Sequence, residues 1–336
     1  MGLEAGRVFF LGAGFSAGAG VPLTNTLLPK AAKLFQQEAP GLFERISWFA
    51  SDADVDLNGA PNADDFARLC THLDFMELRE HGGGERWSAQ GSRERLALKY
   101  FLAKVIARST PAPADLPSFY HEFARGLTPW DVIVTFNWDG LVEAALAHVG
   151  IPYSYSGEEG KVPIVKLHGS IHWLQGEPRP MRRDAPHLGY VPIGFDLNMP
   201  KDDVHMSERL LSFDAWAQSR CLTDEVKPLI VLPGYGKAVD VRLLSAIWYR
   251  PEFLSVRHGG VSVIGLSVAQ DDYIVESLFR YLFRSTFDTE RQIRVVNPDR
   301  TVGTKLAALG PELTIDFIER RLSDETVALA LMTDWA

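Results

Sequence analysis

Two short polar clusters stand directly after apolar runs, and their residue types suit chemistry on a sugar. The run Val132–Val134 is followed by Thr135-Phe136-Asn137-Trp138-Asp139-Gly140-Leu141, and Ile164–Leu167 by His168-Gly169-Ser170-Ile171-His172-Trp173. Asn137 brings a neutral donor and acceptor, Asp139 a carboxylate, and His168 a base that titrates near neutral pH. Together they are suited to hold ribose hydroxyls and to activate one of them, or a water. Each also has a plainer explanation: Asp139 as an N-cap, Asn137 as a turn residue, His168 as a hydrogen-bonded core histidine. Taken singly, the plainer explanations are stronger; joint placement after apolar strands points to a site. His172 and the other histidines lack that context and are expected to be structural or on the surface.

A third cluster lies near the N-terminus, where Val8–Leu11 runs into Gly12-Ala13-Gly14-Phe15-Ser16-Ala17-Gly18-Ala19-Gly20-Val21-Pro22. A strand followed by closely spaced glycines and a helix start is what a pyrophosphate needs, because backbone without Cβ atoms approaches the anion and helix N–H groups point at it. The spacing departs from the dehydrogenase fingerprint, since Gly18 comes one residue late for G-x-G-x-x-G. The acidic residue expected about twenty positions later is matched only weakly, with Gln36, Gln37 and Glu38 arriving late and inside a helical pattern. The competing explanation is a small-residue turn that packs a helix against a strand.

The elements that must position these clusters read as α/β. Val8–Leu11 and the later runs Val132–Val134, Ile164–Leu167, Ile230–Leu232, Val261–Leu266 and Ile293–Val296 suggest buried strands of a parallel sheet. Helical patterns follow several of them: Leu141–Val149 with Gly150 as its stop, and Asp272–Phe287 with Ile274, Leu278, Tyr281 and Leu282 on one stripe. This alternation predicts a Rossmann-like doubly wound, mostly parallel sheet with a largely helical inserted cap subdomain. The sheet domain is assigned to 1–28 and 128–336, with a loop-rich insertion at about 175–227 and one helix-like patch near Met206–Ser219. A mainly helical insertion is assigned to 29–127, with an amphipathic segment Glu94–Ala107 (Leu96, Leu98, Phe101, Val105) and a flexible loop at His81-Gly82-Gly83-Gly84. In open parallel sheets ligands sit at the carboxyl ends of the strands, so all three clusters are expected to face one crevice.

Composition narrows the function classes. The 336 residues are 46% hydrophobic and 23% charged, ordinary for a globular chain that buries a sizeable core. A formal charge of −9 and a pI near 5.5 argue against direct nucleic-acid binding, with Arg179–Arg183 the one basic segment and more simply a solvated loop. Cys70 and Cys221 form no C-x-x-C pair, which suits a reducing compartment and excludes a four-cysteine zinc ribbon. No basic leader and no bilayer-length apolar run is evident, so a cytoplasmic location without membrane association is expected.

With these residues in view, the chain resembles the sirtuins, and is most similar to their divergent prokaryotic sirtuin-like NADase branch associated with antiphage defence. The matching segments are Gly12-Ala13-Gly14-Phe15-Ser16 with Ala19-Gly20-Val21-Pro22, Thr135 to Leu141, and Lys166-Leu167-His168-Gly169-Ser170. Weaker matches are Gly265-Leu266-Ser267 and Asn297. The resemblance implies that NAD is the substrate, with Gly12, Ala13, Gly14 and Ser16 at the phosphates and nearby ribose. It implies Asn137 and Asp139 as catalytic residues lining the nicotinamide-ribose pocket, His168 as catalytic base, Thr135 among the NAD-binding residues, and Gly265, Ser267 and Asn297 on the phosphate and adenosine side. The chain departs from the deacetylases in lacking the two cysteine pairs of their zinc ribbon, so no zinc is expected. Leu23-Thr24-Asn25 stands where they continue Asp-Phe-Arg, and Phe136 where they have glutamine.

The activity implied is NAD glycohydrolysis to nicotinamide and ADP-ribose by a regulated defence effector. An NAD-dependent protein deacylase or ADP-ribosyltransferase is the first alternative, and a non-catalytic module that senses NAD or ADP-ribose the second. The resemblance further implies gating by homo-oligomerisation or by a partner such as a HerA-like ATPase or a short Argonaute.

Overall fold

The computed structural model describes residues 6–83, 92–175, 204–206, 227–235, 237, 244, 260–268, 272–285, 291–310 and 313–322. The chain opens with β1 (Arg7–Leu11) and α1 (Ala13–Ala17), then runs through α2 (Thr24–Glu38), α3 (Pro40–Asp52), α4 (Ala63–Gly83), α5 (Ser92–Ser109) and α6 (Ser118–Arg125). It continues with β2 (Val132–Thr135), α7 (Leu141–Val149), β3 (Tyr153–Ser154), β4 (Val162–Lys166), β5 (Gly169–Gln175), β6 (Val204–Met206) and β7 (Lys227–Ile230). Then come β8 (Gly260–Ile264), α8 (Tyr273–Ser285), β9 (Arg291–Val296), α9 (Thr301–Leu309) and β10 (Leu313–Ile318).

Seven strands form one sheet in the order β10-β9-β8-β1-β2-β4-β3, every pair parallel. At its centre Val8, Phe9, Phe10 and Leu11 are all buried, as a strand covered on both faces requires. Successive residues point to opposite faces. Phe9 meets Phe123 of α6 with ring centroids 5.2 Å apart, and Phe10 meets Phe279 of α8 at 5.0 Å. Helices therefore cover both faces, which makes the sheet doubly wound as expected.

The strand at Ile230–Leu232 does not join this sheet. Its chain forms β7, which with β5 and β6 makes a separate antiparallel sheet in the order β6-β5-β7. Its continuous apolar run signals burial, and burial alone does not distinguish one sheet from another. Strands β3, β5, β6 and β10 add to those legible in the sequence.

The helices follow local signals closely in places. Gly150, at φ +75°, ends α7 in the left-handed region, the conformation a glycine stop is chosen for. Asn62 caps α4 reciprocally: its Oδ1 accepts from the Asp64 and Asp65 amides at 2.8 and 3.0 Å, and Asp65 accepts from the Asn62 amide at 2.9 Å. Three expectations need correction. Helix α4 continues through His81, Gly82 and Gly83 rather than breaking into a loop there. Helix α5 is buried on every face from Glu94 to Ile106, because it packs against α2, α3 and α4 and also meets β7 and β5. Its charges are paired instead of solvated, Glu94 with Arg45 and Arg95 with Asp74 at 2.7 Å. On α8 the buried stripe is Val275, Leu278, Phe279, Leu282 and Phe283, while Tyr281 is 54% exposed. The patch near Met206–Ser219 and the Arg179–Arg183 segment lie outside the described residues, apart from Met206, which ends β6.

Candidate functional site

The sheet order fixes where a ligand would sit. From β1 the chain builds β2, β4 and β3 to one side, then returns to build β8, β9 and β10 on the other. The reversal lies between β1 and β8, and the loops leaving their carboxyl ends bound a crevice. Those loops touch backbone to backbone. The Gly12 amide donates to the Ile264 carbonyl at 3.0 Å and the Gly14 amide to the Gly265 carbonyl at 2.8 Å. A Cβ on Gly12 would lie 2.4 Å from Leu266 Cα, and one on Gly265, at φ +61°, would lie 2.3 Å from the Phe15 nitrogen. These glycines are thus needed for the interlock itself. With the Phe15 amide given to the Gly12 carbonyl at 2.9 Å, much of the turn's donor capacity is internal; Ala13 is its exposed residue and Gly14 is half-buried.

The end of β2 is tied to this turn. Thr135 Oγ1 accepts from the Asn137 amide at 3.1 Å and lies 3.5 Å from the Leu11 carbonyl. Asn137 Nδ2 donates to the Gly12 carbonyl at 2.8 Å and to Ser16 Oγ at 3.0 Å. Both its amide protons are engaged, so Oδ1 is the atom through which Asn137 can accept from a substrate. Ser16 in turn donates to the Asp139 carboxylate. Asp139 Oδ1 also accepts from the Leu141 amide at 3.1 Å, although the N-cap of α7 is Gly140 and not Asp139. Burial pushes the Asp139 carboxyl above the usual range, against the pull of Lys166 and of its hydrogen bonds.

Lys166, at the end of β4 and 1% exposed, donates to the Asp139 carbonyl at 2.6 Å and to Glu143 Oε1 at 2.9 Å. Tyr155 donates to the same oxygen at 2.9 Å. Burial opposes ionisation of Glu143, but Lys166 outweighs it and holds the carboxyl below its ordinary value. A charged residue inside an apolar strand is the sequence signal for this pair, read in the sequence as part of a motif match only.

Across β2 from the glycine turn, His168 follows β4. Gly169 makes that exit possible: at φ +76° its Cβ would fall 2.0 Å from the Leu229 carbonyl, where β5 begins to pair with β7. His168 is 9% exposed, and its ring lies edge-on to Phe136 with centroids 5.3 Å apart. Its Nε2 faces Asp272 Oδ2 at 3.7 Å, and the same oxygen is 2.6 Å from Lys237 Nζ. Burial first, and Lys237 second, lower the imidazole to about 4, against the opposing effects of Asp272 and a hydrogen bond to the Phe136 carbonyl. His168 is therefore neutral at physiological pH and able to accept a proton. Asp272 opens α8, on the chain that leaves β8, so it spans the crevice from the β8 side to the β4 side. Sequence reasoning passed over it; an acidic pair, Asp271-Asp272, just before an apolar helical stripe was the available signal.

On the β8 and β9 side, Asn297 Nδ2 donates to the Leu266 carbonyl at 3.1 Å and its Oδ1 accepts from the Asp299 amide at 2.9 Å. Asn297 thus braces the loop that carries Ser267, which is exposed. The structure gathers every sequence-predicted residue at the carboxyl edge of the sheet, with Gly12, Ser16, Asn137 and Asp139 in one hydrogen-bonded group.

No protein-family model matches the chain, and neither does any curated protein. Solved structures similar to it include a mutant Sir2 homologue in complex with ADP-ribose, at 15% identity and TM-score 0.44 over 98% of this chain and 91% of that one. A Sir2 homologue–NAD complex is 14% identical with TM-score 0.38, covering 98% and 92% of the two chains. Sir2Tm bound to a propionylated peptide is 14% identical with TM-score 0.41, covering 98% and 93%. At these values the likeness carries no functional weight, and the site geometry has to stand alone.

The geometry permits three things: a backbone turn against a ligand, a polar rim on one side, and a neutral base on the other. Among the described residues no group of three or more His, Cys, Asp or Glu side chains is placed to hold a metal ion. No described helix is long and apolar enough to cross a membrane. His172, half-buried on β5, is likewise lowered to about 4, by burial first, with Glu143 opposing and Lys166 adding to the shift.

Proposed function

We propose that this chain binds NAD across the crevice between β1 and β8 and hydrolyses its nicotinamide–ribose bond. The observation that carries the reading is the linkage of Gly12, Ser16, Asn137 and Asp139 by hydrogen bonds, with a neutral His168 across β2 from them. Departure of nicotinamide leaves oxocarbenium-like charge on the sugar, and the leaving group is a neutral pyridine that needs no protonation. What the protein supplies is orientation, a field favourable to positive charge, and a base for the attacking water. Water oxygen bonds to the anomeric carbon as the glycosidic electron pair departs with the nicotinamide nitrogen. The water proton passes to His168 Nε2 and then to solvent. Asn137 Oδ1 orients the water or a ribose hydroxyl, and Asp139 holds the loop that carries Asn137. Ala13 and Gly14 face the phosphates, with Gly265, Ser267 and Asn297 toward the adenosine side.

The same reading makes the chain a regulated antiphage effector, its NAD consumption released by self-assembly or by an ATPase or Argonaute partner. Purified protein incubated with NAD, with and without such partners, should yield nicotinamide and ADP-ribose on chromatography. His168→Ala and Asn137→Ala should each abolish turnover while leaving the circular dichroism unchanged. Full activity in either variant would contradict the roles given. Nicotinamide release that depends strictly on an acyl-lysine peptide would mark a deacylase, and tight binding without turnover a sensor.

A further inference from the structure

The charged groups that face His168 among the described residues belong to neither the glycine turn nor the β2 loop. Among the described residues, two charged groups face the imidazole: Asp272, from the start of α8, and Lys237, from the loop after β7. The third neighbour, Phe136 at the end of β2, presents an uncharged ring and a carbonyl. A carbonyl only accepts, so the ring nitrogen that meets it carries the hydrogen. With Nε2 turned toward Asp272, that nitrogen is Nδ1, which leaves Nε2 as the basic atom. A lone pair facing a carboxylate at 3.7 Å gains nothing while the ring is neutral. Once Nε2 takes up a proton, the same distance becomes an attractive ion contact between two largely buried groups. Lys237, 2.6 Å from the carboxylate and 6% exposed, holds Asp272 in place and ionised.

We propose that Asp272 is a positioning residue for His168: it stabilises the imidazolium formed when Nε2 accepts a proton during glycosidic cleavage, and Lys237 sets how strongly it does so. This role rests on the hydrolase reading. Burial opposes ionisation of Asp272, yet the imidazole once protonated, and Lys237, pull its carboxyl below the ordinary value. The two partners act on the base with opposite sign, and that opposition gives the test.

The experiment combines NMR titration of His168 in the free protein with the pH profile of kcat for NAD in wild type, Asp272→Asn, Asp272→Glu and Lys237→Met. Lys237→Met should raise the His168 midpoint and move the acid limb of kcat upward, by roughly 1–3 pH units. Asp272→Asn should keep the ring neutral to the lowest pH at which the protein stays folded and lower kcat roughly tenfold or more. Asp272→Glu should restore part of the loss. A purely structural role would lower activity in both variants without opposite movements of the midpoint. Turnover accompanied by unshifted, or equally shifted, titration overturns the proposal and leaves the hydrolase reading intact. Opposite shifts in a wild-type protein that turns over no NAD sink the hydrolase reading and keep the histidine–carboxylate pair. If Asp272→Asn fails to fold, Lys237→Met alone decides, since a midpoint that does not rise refutes the pairing.

Discussion

Replacement of Lys166 by methionine tests the account of how the β2 loop is held. The ammonium is 1% exposed and the carboxylate of Glu143 is fully buried, with 2.9 Å between them. Methionine fills much the same volume, so the loss is electrostatic: a carboxylate without its cation and an Asp139 carbonyl without its 2.6 Å donor. Removing one partner of a buried pair costs about 3–5 kcal/mol, a large part of the roughly 5–15 kcal/mol that holds a domain folded. The sign with pH is definite. In wild type Glu143 lies below 4.5, so its stabilisation is present above that value and fades as pH falls. Without Lys166, burial drives the carboxyl upward, so the variant's deficit grows as pH rises through the new value. Urea unfolding followed by circular dichroism between pH 5 and 8 reads this directly, with an unchanged slope as the check on the unfolded state. Adding Glu143→Gln should return a substantial part of the loss, with a coupling of at least about 1 kcal/mol. A loss below about 1 kcal/mol in Lys166→Met, or strict additivity in the double variant, refutes the reasoning.

Three further outcomes follow from the same geometry. His168 sits at about 4 against an ordinary 6.5, so the folded protein binds fewer protons and stability falls as pH drops from 6.5 toward 4. At about 1.4 kcal/mol per pH unit this amounts to about 3 kcal/mol, and His168→Asn should flatten that limb of a thermal-melt series; an unchanged slope would count against the burial of the ring. Gly265→Ala should cost at least about 2 kcal/mol, since φ is +61° and the added carbon meets the Phe15 nitrogen, and a Tm within a degree of wild type would show that the loops do not interlock. Asp139→Asn should retain more NAD turnover than Asp272→Asn at pH 7.5, and steady-state kinetics showing the reverse order would transfer the electrostatic role to Asp139.

The parts of this protein legible in its sequence are those set by short-range physics. Val8–Leu11 buries every side chain, and a run of that kind bounded by glycine has few other uses. Gly150 ends α7 because a left-handed residue closes a helix at little cost, a rule that acts over one turn. The three polar clusters were found because the carboxyl ends of parallel strands share one edge. What stayed hidden depends on contacts distant in sequence. The run at Ile230–Leu232 looks like any buried strand, and only its pairing with β5 places it in the second sheet. Helix α5 reads as amphipathic, yet its Arg95 and Lys104 are buried because Asp74 and Glu38, contributed by α4 and α2, neutralise them. Asp272 and Lys237 are 104 and 69 positions from His168, and no local pattern announces that they meet it.

The contrast between the two carboxylates explains why their substitutions should differ. In the proposed glycosidic cleavage positive charge grows at the anomeric carbon, so a crevice helps only where it keeps negative charge ionised. Asp139 and Asp272 both lie beside a lysine, but in different ways. Lys166 donates to the backbone carbonyl of Asp139 and to Glu143, so its charge is already matched, and burial leaves the Asp139 carboxyl raised. Lys237 binds the Asp272 carboxylate itself, so Asp272 is held down. Asp272 therefore keeps its negative charge beside the base, where it favours proton uptake. The carboxyl of Asp139, taking hydrogen bonds from Ser16 and from the Leu141 amide, serves to fix the Asn137 loop against the glycine turn. An asparagine at 139 can still accept from that amide, whereas an asparagine at 272 removes the charge on which the imidazolium depends.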